Sequence, residues 1–335
     1  MEEMEKKETR NPNNTPEIQR ELTLPPRPKL DVFESVTERI LDCLERGVVP
    51  WQSPSIARVG FPRNFLTGKQ YSGINVFLLG VHEFQSPFFI TFAQAHQLGG
   101  YVRCGEKGIP IVKYGTWQKD VTTQNAGGPG ADGAQHPEPQ RRFLKLYTVF
   151  NSCQIEGLVF PPPPNCATFT ETAMAERARQ VVGGMPNPPL ILEGRKAIPH
   201  YVPVLDVVEI PERQTFRAEW RYYKTLFHEL AHATGHEKRL NRKSLVETRG
   251  RIAAASGEKI YCQEELVAEM AAAFLGAHAG IIEDGFENSP AYVKGWLDAL
   301  REGDHRRWLI RAASEAQRAA HYILGDPAER DTTVQ

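Results

Sequence analysis

Cysteine is scarce and unpaired in these 335 residues: there are five, Cys43, Cys104, Cys153, Cys166 and Cys262, scattered and never spaced as Cys-x-x-Cys. That pattern argues against a cysteine-only zinc site and against a disulfide framework, so a reducing cytoplasm is the expected compartment. Long apolar runs are missing as well. No stretch approaches the ~18 uninterrupted apolar residues of a membrane helix, so no membrane partner is expected. The opening MEEMEKKETRNPNN is charged and polar where a secretory signal needs an apolar stretch. Net charge is nearly absent, −1 from 40 basic and 41 acidic residues, which gives the molecule as a whole no pull on polyanions. With 41% apolar and 24% charged residues the composition is that of a globular protein, long enough for two domains that each bury a core.

What is present has a clear order along the chain. Residues 1–29 are polar, proline-containing and aperiodic, and are expected to form a disordered tail. DVFESVTERILDCLERG then places Phe33, Val36, Ile40, Leu41 and Leu44 on one helical face, with Gly47 as the stop. FITFAQAHQLGG reads as a short helix, and IPIVKYGTW as a strand through its β-branched and aromatic residues. The Gly/Ala/Pro-rich stretch 121–140 is expected to be a mobile loop inside a long hairpin, because RRFLKLYTVF resumes a strand after it. PPPPN, Pro161 to Asn165, is stiff and helix-incompatible, which puts a domain boundary there. The prediction is an α+β protein of two domains, 30–160 and 165–325, with helices over RAEWRYYKTLFHELAHATGH and YCQEELVAEMAAAFLGAHAG in the second.

The strongest motif is His228-Glu229-x-x-His232. Four residues apart on a helix, the two imidazoles project from one face and can share a metal ion. Glu229 is rotated off that face, close enough to take a proton from metal-bound water. This is the zincin arrangement for attack on an amide carbonyl. The apolar neighbours Leu226, Phe227, Leu230 and Ala231 bury the helix, where unpaired His and Glu would be costly. A catalytic zinc needs a third protein ligand. Six residues past His232 stands Lys238, which cannot serve, and His236 follows the helix-stopping Gly235. The acidic run EELVAEM offers Glu265 as the ligand and Glu269, one turn on, as a carboxylate that orients a ligating histidine. Glu264 remains the rival for the third position. Zn²⁺ is the expected ion, and Mn²⁺ or another divalent cation would meet the same donors.

The charge is unevenly distributed. Between Trp51 and Lys119 seven basic residues stand against two acidic ones, interleaved with aromatic side chains. Single strands are held by such a combination of positive groove and stacking faces. The candidates are Trp51, Arg63, Lys69, Tyr71, Arg103, Lys107 and Lys113. The succession ERILDCLERGVVPWQSP, GFPRNFLTGKQYSGINVFLL, TFAQAHQLGGYVRCGEKGIPIVKY and RRFLKLYTVFNSCQIEGL resembles the N-terminal domain of ArdC-type antirestriction proteins, which belong to conjugative plasmids and related elements. FHELAHATGHEKRLNR with YCQEELVAEMAAAFLG resembles the zincin-like domain of the same family, and the likeness covers about residues 31 to 323. It implies a small mixed α/β domain that binds single-stranded DNA, followed by a zincin-like metallopeptidase domain, in a protein that protects incoming plasmid DNA from restriction. A component of a restriction system is then one candidate for an otherwise unnamed protein substrate. The competing expectation is a DNA-binding shield whose metal site is structural or idle.

Overall fold

The first helix shows how locally the chain is specified. Asp31 caps it, its carboxylate accepting from the Phe33 amide at 2.9 Å, and α1 runs Val32–Glu45. Val36, Ile40 and Leu44 are buried at the helical spacing and Phe33 and Leu41 pack beside them. Gly47 leaves the helix at φ +77°, a conformation open to glycine at no steric cost. The computed structural model describes residues 31–117, 141–163, 169–243, 255–282, 290–301 and 307–326. The expected tail, the loop 121–140 and Asn165 of the expected boundary fall outside them.

After α1 come α2 (Ser55–Val59), β1 (Arg63–Asn64), α3 (Ile74–Gly80), β2 (Phe88–Thr91), α4 (Phe92–Gln97), β3 (Tyr101–Val102), β4 (Ile109–Trp117), β5 (Arg141–Asn151) and β6 (Ile155–Glu156). The predicted short helix starts later than its letters suggest. Phe88–Thr91 is a strand, and Thr91 then caps α4 by a reciprocal capping box with Gln94. β4 and β5 pair antiparallel from Ile109↔Val149 to Trp117↔Arg141, the long hairpin that the sequence predicts. They belong to a four-stranded sheet of order β1-β2-β5-β4, beside the small pair β3-β6. Asn75 fastens α3 to this sheet, donating to the Val112 carbonyl and accepting from the Val112 amide, both at 2.8 Å.

The second half begins with α5 (Glu171–Gly183), capped by Thr170, and a three-stranded sheet of β7 (Leu190–Glu193), β8 (His200–Val202) and β9 (Val207–Ile210) in the order β7-β9-β8. Then follow α6 (Glu219–Thr234), α7 (Ala255–Ala279), α8 (Pro290–Arg301) and α9 (Trp308–Ile323). Small residues face one another where these helices meet: Ala231 and Ala233 on α6, Ala268, Ala271 and Ala272 on α7, Ala312, Ala313, Ala316, Ala319 and Ala320 on α9, all buried. With so little side chain between them the helix axes approach closely, which sets α7's carboxylates against α6's histidines.

The two halves also meet in a large common core. Val36, Ile40, Leu44, Trp51 and Phe77 of the first half join Phe227, Leu230, Leu266, Phe274 and Ala316 of the second in one apolar cluster. Phe77 stacks on Phe274 at 4.7 Å between centroids, and Trp51 meets Trp296 edge to face at 5.7 Å. The Gly73 amide also donates to Gln317 Oε1 at 3.2 Å. Helical periodicity marks α1 and α3 as amphipathic but is silent about the partner of each face, and that partner lies in the other half. A smaller cluster under the sheet, Leu79, Phe89, Ile109, Ile111 and Val149, belongs to the first half alone.

Candidate metal centre and nucleic-acid face

α6 presents His228 and His232 one turn apart, and α7 crosses it with Glu264, Glu265 and Glu269. The two histidine Nε2 atoms lie 3.2 Å apart. Glu265 reaches both, with Oε2 at 3.3 Å from His228 Nε2 and Oε1 at 3.3 Å from His232 Nε2. Donors held at 2.0–2.1 Å around a tetrahedral ion stand about 3.3–3.4 Å from one another. The triangle therefore has the size that zinc requires, and its chemistry, two imidazoles and a carboxylate, suits a borderline divalent ion. Among the described residues no fourth His, Cys or carboxylate joins it. Structural zinc sites use four protein ligands and catalytic ones three. His228 and Glu265 keep about a fifth of their side-chain surface exposed, so the cluster opens to solvent. His236 is buried elsewhere, its Nδ1 accepting from the Lys238 amide at 3.2 Å.

His232 is held from behind. Its Nδ1 faces Glu264 Oε1 at 3.4 Å, and Glu264 is clasped by Arg242 through Nε at 3.0 Å and through Nη2. Arg242 also donates to Thr234 Oγ1 and to the Ala231 carbonyl, each at 2.8 Å, which ties the chain after α6 back onto that helix. Both Arg242 and Glu264 are almost completely buried. The electrostatics follow from this packing. Burial disfavours charge on His232, yet Glu264 and Glu265 outweigh it and lift the imidazole to about 10. Burial likewise pushes Glu264 up, and Arg242 and His232 overcome it, leaving the carboxyl at about 2. Glu265 ends below its ordinary range because its two histidine partners outweigh its burial.

Glu264 thus sits on the Nδ1 side of His232, away from the ligand triangle. Glu269, expected to orient a histidine, stands 3.9 Å from His228 Nδ1, too far for a hydrogen bond. One step of 100° around α7 separates the face that meets Nε2 from the face that meets Nδ1. The sequence shows that adjacent carboxylates point differently but not which of them meets the metal. Arg242, in a polar run, carries no local signal of its burial.

Glu229 is 5% exposed. Burial raises its carboxyl above the ordinary range; the two histidines and a bond from the Tyr201 backbone amide in β8 pull the other way and do not cancel it.

The basic and aromatic residues of the first half divide. Lys113 on β4 and Lys145, its register partner on β5, each place Nζ 5.4 Å from the Tyr147 ring centre. Two register steps on, and so on the same face, Phe143 covers Gly115 and is 42% exposed; a Cβ at Gly115 would lie 2.2 Å from its ring. Two cations and two rings therefore share one face of the hairpin. Lys145, Tyr147 and Phe143 were not among the sequence candidates. The alternation of β5 could have shown them, once paired with Lys113. Trp51 contradicts its expectation: it is 3% exposed, pressed against Trp296, and has no face to offer a base. Tyr71 is largely a packing residue, edge-on to Phe89 and accepting from Asn64 Nδ2 at 3.4 Å. Arg103 is exposed but paired with Glu106 at 2.6 Å. Lys69 and Lys107 are exposed on turns, and Arg63 is half-buried in β1.

Two known families match the chain, one in each half. Residues 30–150 match the model of the N-terminal domain of the anti-restriction factor ArdC, and residues 190–315 match that of a zincin-like metallopeptidase. Against a DNA primase TraC of Escherichia coli the chain is 32% identical over 305 residues, 89% of its own length, and it spans about a fifth, 20%, of that protein. The crystal structure of antirestriction protein ArdC from the R388 plasmid, free of metal, superposes with a TM-score of 0.65 at 33% identity, over 88% of this chain and 97% of that one. The Mn(II)-bound structure of the same protein gives 0.66 at 32% identity, over 90% and 100%. With an α+β architecture, both family regions and full-length likeness to a solved member, the chain belongs to the ArdC family of antirestriction proteins.

Proposed function

We propose that this protein is a zinc-dependent metallopeptidase that also binds single-stranded DNA, acting in the cytoplasm to protect the incoming DNA of a conjugative element from restriction. The observation that carries the enzymatic reading is the triangle of His228 Nε2, His232 Nε2 and Glu265, with edges of 3.2 to 3.3 Å. A zinc ion held there supplies Lewis acidity and brings the pKa of a bound water toward neutrality. Glu229 takes the proton of the attacking water and returns it to the leaving amine. Burial raises its proton affinity and fits it to accept at neutral pH, and the Tyr201 amide fixes its direction. Glu264, backed by Arg242, holds the His232 ring in its ligating orientation. Glu269 adds negative charge beside His228 without bonding it. Another divalent cation could serve, and a relative solved in a Mn(II)-bound form supports a divalent ion.

The DNA-binding reading rests on the hairpin face, where Lys113 and Lys145 would meet phosphates and Phe143 would stack a base. Lys69, Arg103 and Lys107 would extend the positive field from their exposed turns. A component of a restriction system is the proposed protein substrate. Among the described residues no helix is long and apolar enough to cross a membrane. Glu229→Gln tests the enzymatic reading. It should bind metal as the wild type does, cut an unfolded test protein at least 10²-fold more slowly, and fail to protect a transferred plasmid from restriction. Full protection by this variant would make the protein a DNA shield instead.

A further inference from the structure

A cavity of about 350 Å³ lies between the segment after α6 and helices α7 and α9. Arg242, Lys243, Trp308, Arg311, Glu315 and Arg318 line it. Four of these come from α9 at spacings of three and four residues, so one helix face is turned to the cavity. Four cations against one carboxylate is an unbalanced wall. Arg242 is committed to Glu264, and Arg318 to Glu315 at 3.2 Å. Lys243 and Arg311 are both exposed and have no ion-pair partner among the described residues. Like charges gathered around a concave site repel one another, and an anion placed between them turns that cost into attraction. The volume is at the small end of the range for small-molecule sites, about 300–1,000 Å³. It suits one nucleotide and is too small for a folded partner. Trp308, half-buried in the wall, adds an aromatic surface to the cations, the pairing that recognises base and phosphate together.

We propose that this cavity is a phosphate-recognition site that seats one nucleotide, with Lys243 and Arg311 on the phosphate and Trp308 against the base. The site lies in the metallopeptidase half and is independent of the hairpin face. Its floor is Arg242, so an occupant is separated from the ligating imidazole of His232 by one guanidinium and one carboxylate.

The test uses the full chain and a double variant, Lys243→Gln with Arg311→Gln, titrated with inorganic phosphate, thymidine monophosphate and labelled oligothymidylate. A tenfold or greater loss of thymidine monophosphate binding in the variant assigns the cavity to a free nucleotide. A loss confined to oligothymidylate, with a salt dependence shallower by roughly 0.7 for the one phosphate no longer neutralised, assigns it to a strand. Either result supports a phosphate site. Trp308→Leu should weaken thymidine monophosphate and leave inorganic phosphate unchanged. Lys113→Ala with Lys145→Ala should leave thymidine monophosphate binding intact, which separates this site from the hairpin face. The proposal is overturned if the folded double variant, melting as the wild type does, binds all three probes equally well. Displacement of the bound oligonucleotide by an oligoglutamate peptide but not by either phosphate probe would also overturn it, because the cavity would then read acidic protein.

Discussion

Metal uptake by this protein should expel a proton from His232, and the number released is a sharp test of the geometry behind that residue. Burial opposes charge on the ring, but Glu264 and Glu265 prevail and hold it to about 10, against an ordinary 6.5. The metal-free protein at pH 7.5 therefore carries an imidazolium at this position. Because the folded pKa is raised, the stability contributed by this proton is full below about 6.5 and is lost as the pH rises through about 10. A metal ion needs the neutral ring, so binding at pH 7.5 should release close to one proton from His232 alone. An unperturbed histidine would release only about 0.1, since it is already about nine-tenths neutral there. The proton also competes. Displacing it at pH 7.5 costs about 3 kcal/mol, which the ligand bonds must exceed. Apparent affinity should rise by roughly a factor of ten per pH unit between 6.5 and 10 from this group. Calorimetric titration with Zn²⁺ in buffers of different ionisation enthalpy measures the release directly. A total release below about 0.2 proton at pH 7.5 would refute the reasoning, because the Glu264 and Glu265 contacts would then not be charging the ring.

Three further outcomes follow from the packing. Arg242→Leu breaks the buried ion pair of Glu264 with its guanidinium partner; unfolding by urea in the presence of a chelator should show a loss of about 3–5 kcal/mol. Zinc affinity should drop about 10–100-fold as His232 loses its support. Phe143→Ala should weaken oligothymidylate binding by about 1–3 kcal/mol at low salt in a fluorescence titration, with little change in melting temperature, because the ring is exposed. Trp51→Ala should do the reverse. Its removal from the contact with Trp296 should cost about 3–5 kcal/mol of stability in chemical denaturation and leave DNA affinity unchanged.

The divergence between the two aromatic residues shows where sequence reasoning reaches its end. Trp51 and Phe143 are both aromatic residues close to basic ones in the chain, and composition cannot tell which is buried. Trp51 is covered by Trp296, 245 residues on, whereas Phe143 stays open because its strand neighbour on that face is Gly115. The pairing of Lys113 with Lys145 depends on a hairpin register across a long intervening segment, and no local pattern sets that register. The metal cluster was more legible. His228 and His232 need only the period of one helix, and the alanines of EELVAEMAAA mark a helix able to come close to them. The roles of the neighbouring glutamates were not legible, since the choice between Glu264 and Glu265 depends on the rotation of α7 about its axis. That rotation is set by the apolar cluster around Leu266, Met270 and Phe274 and by Arg242 arriving from the loop after α6. The same limit applies to the core common to both halves: amphipathic faces are visible in the sequence, their partners are not.

The central claim is that His228, His232 and Glu265 hold one divalent ion, and X-ray absorption at the zinc edge of the reconstituted protein tests it most directly. A first shell of two imidazole nitrogens near 2.0–2.1 Å with carboxylate or water oxygens, losing one imidazole in His232→Ala, is the expected result. A shell without imidazole scattering, or one unaltered by that substitution, would contradict it.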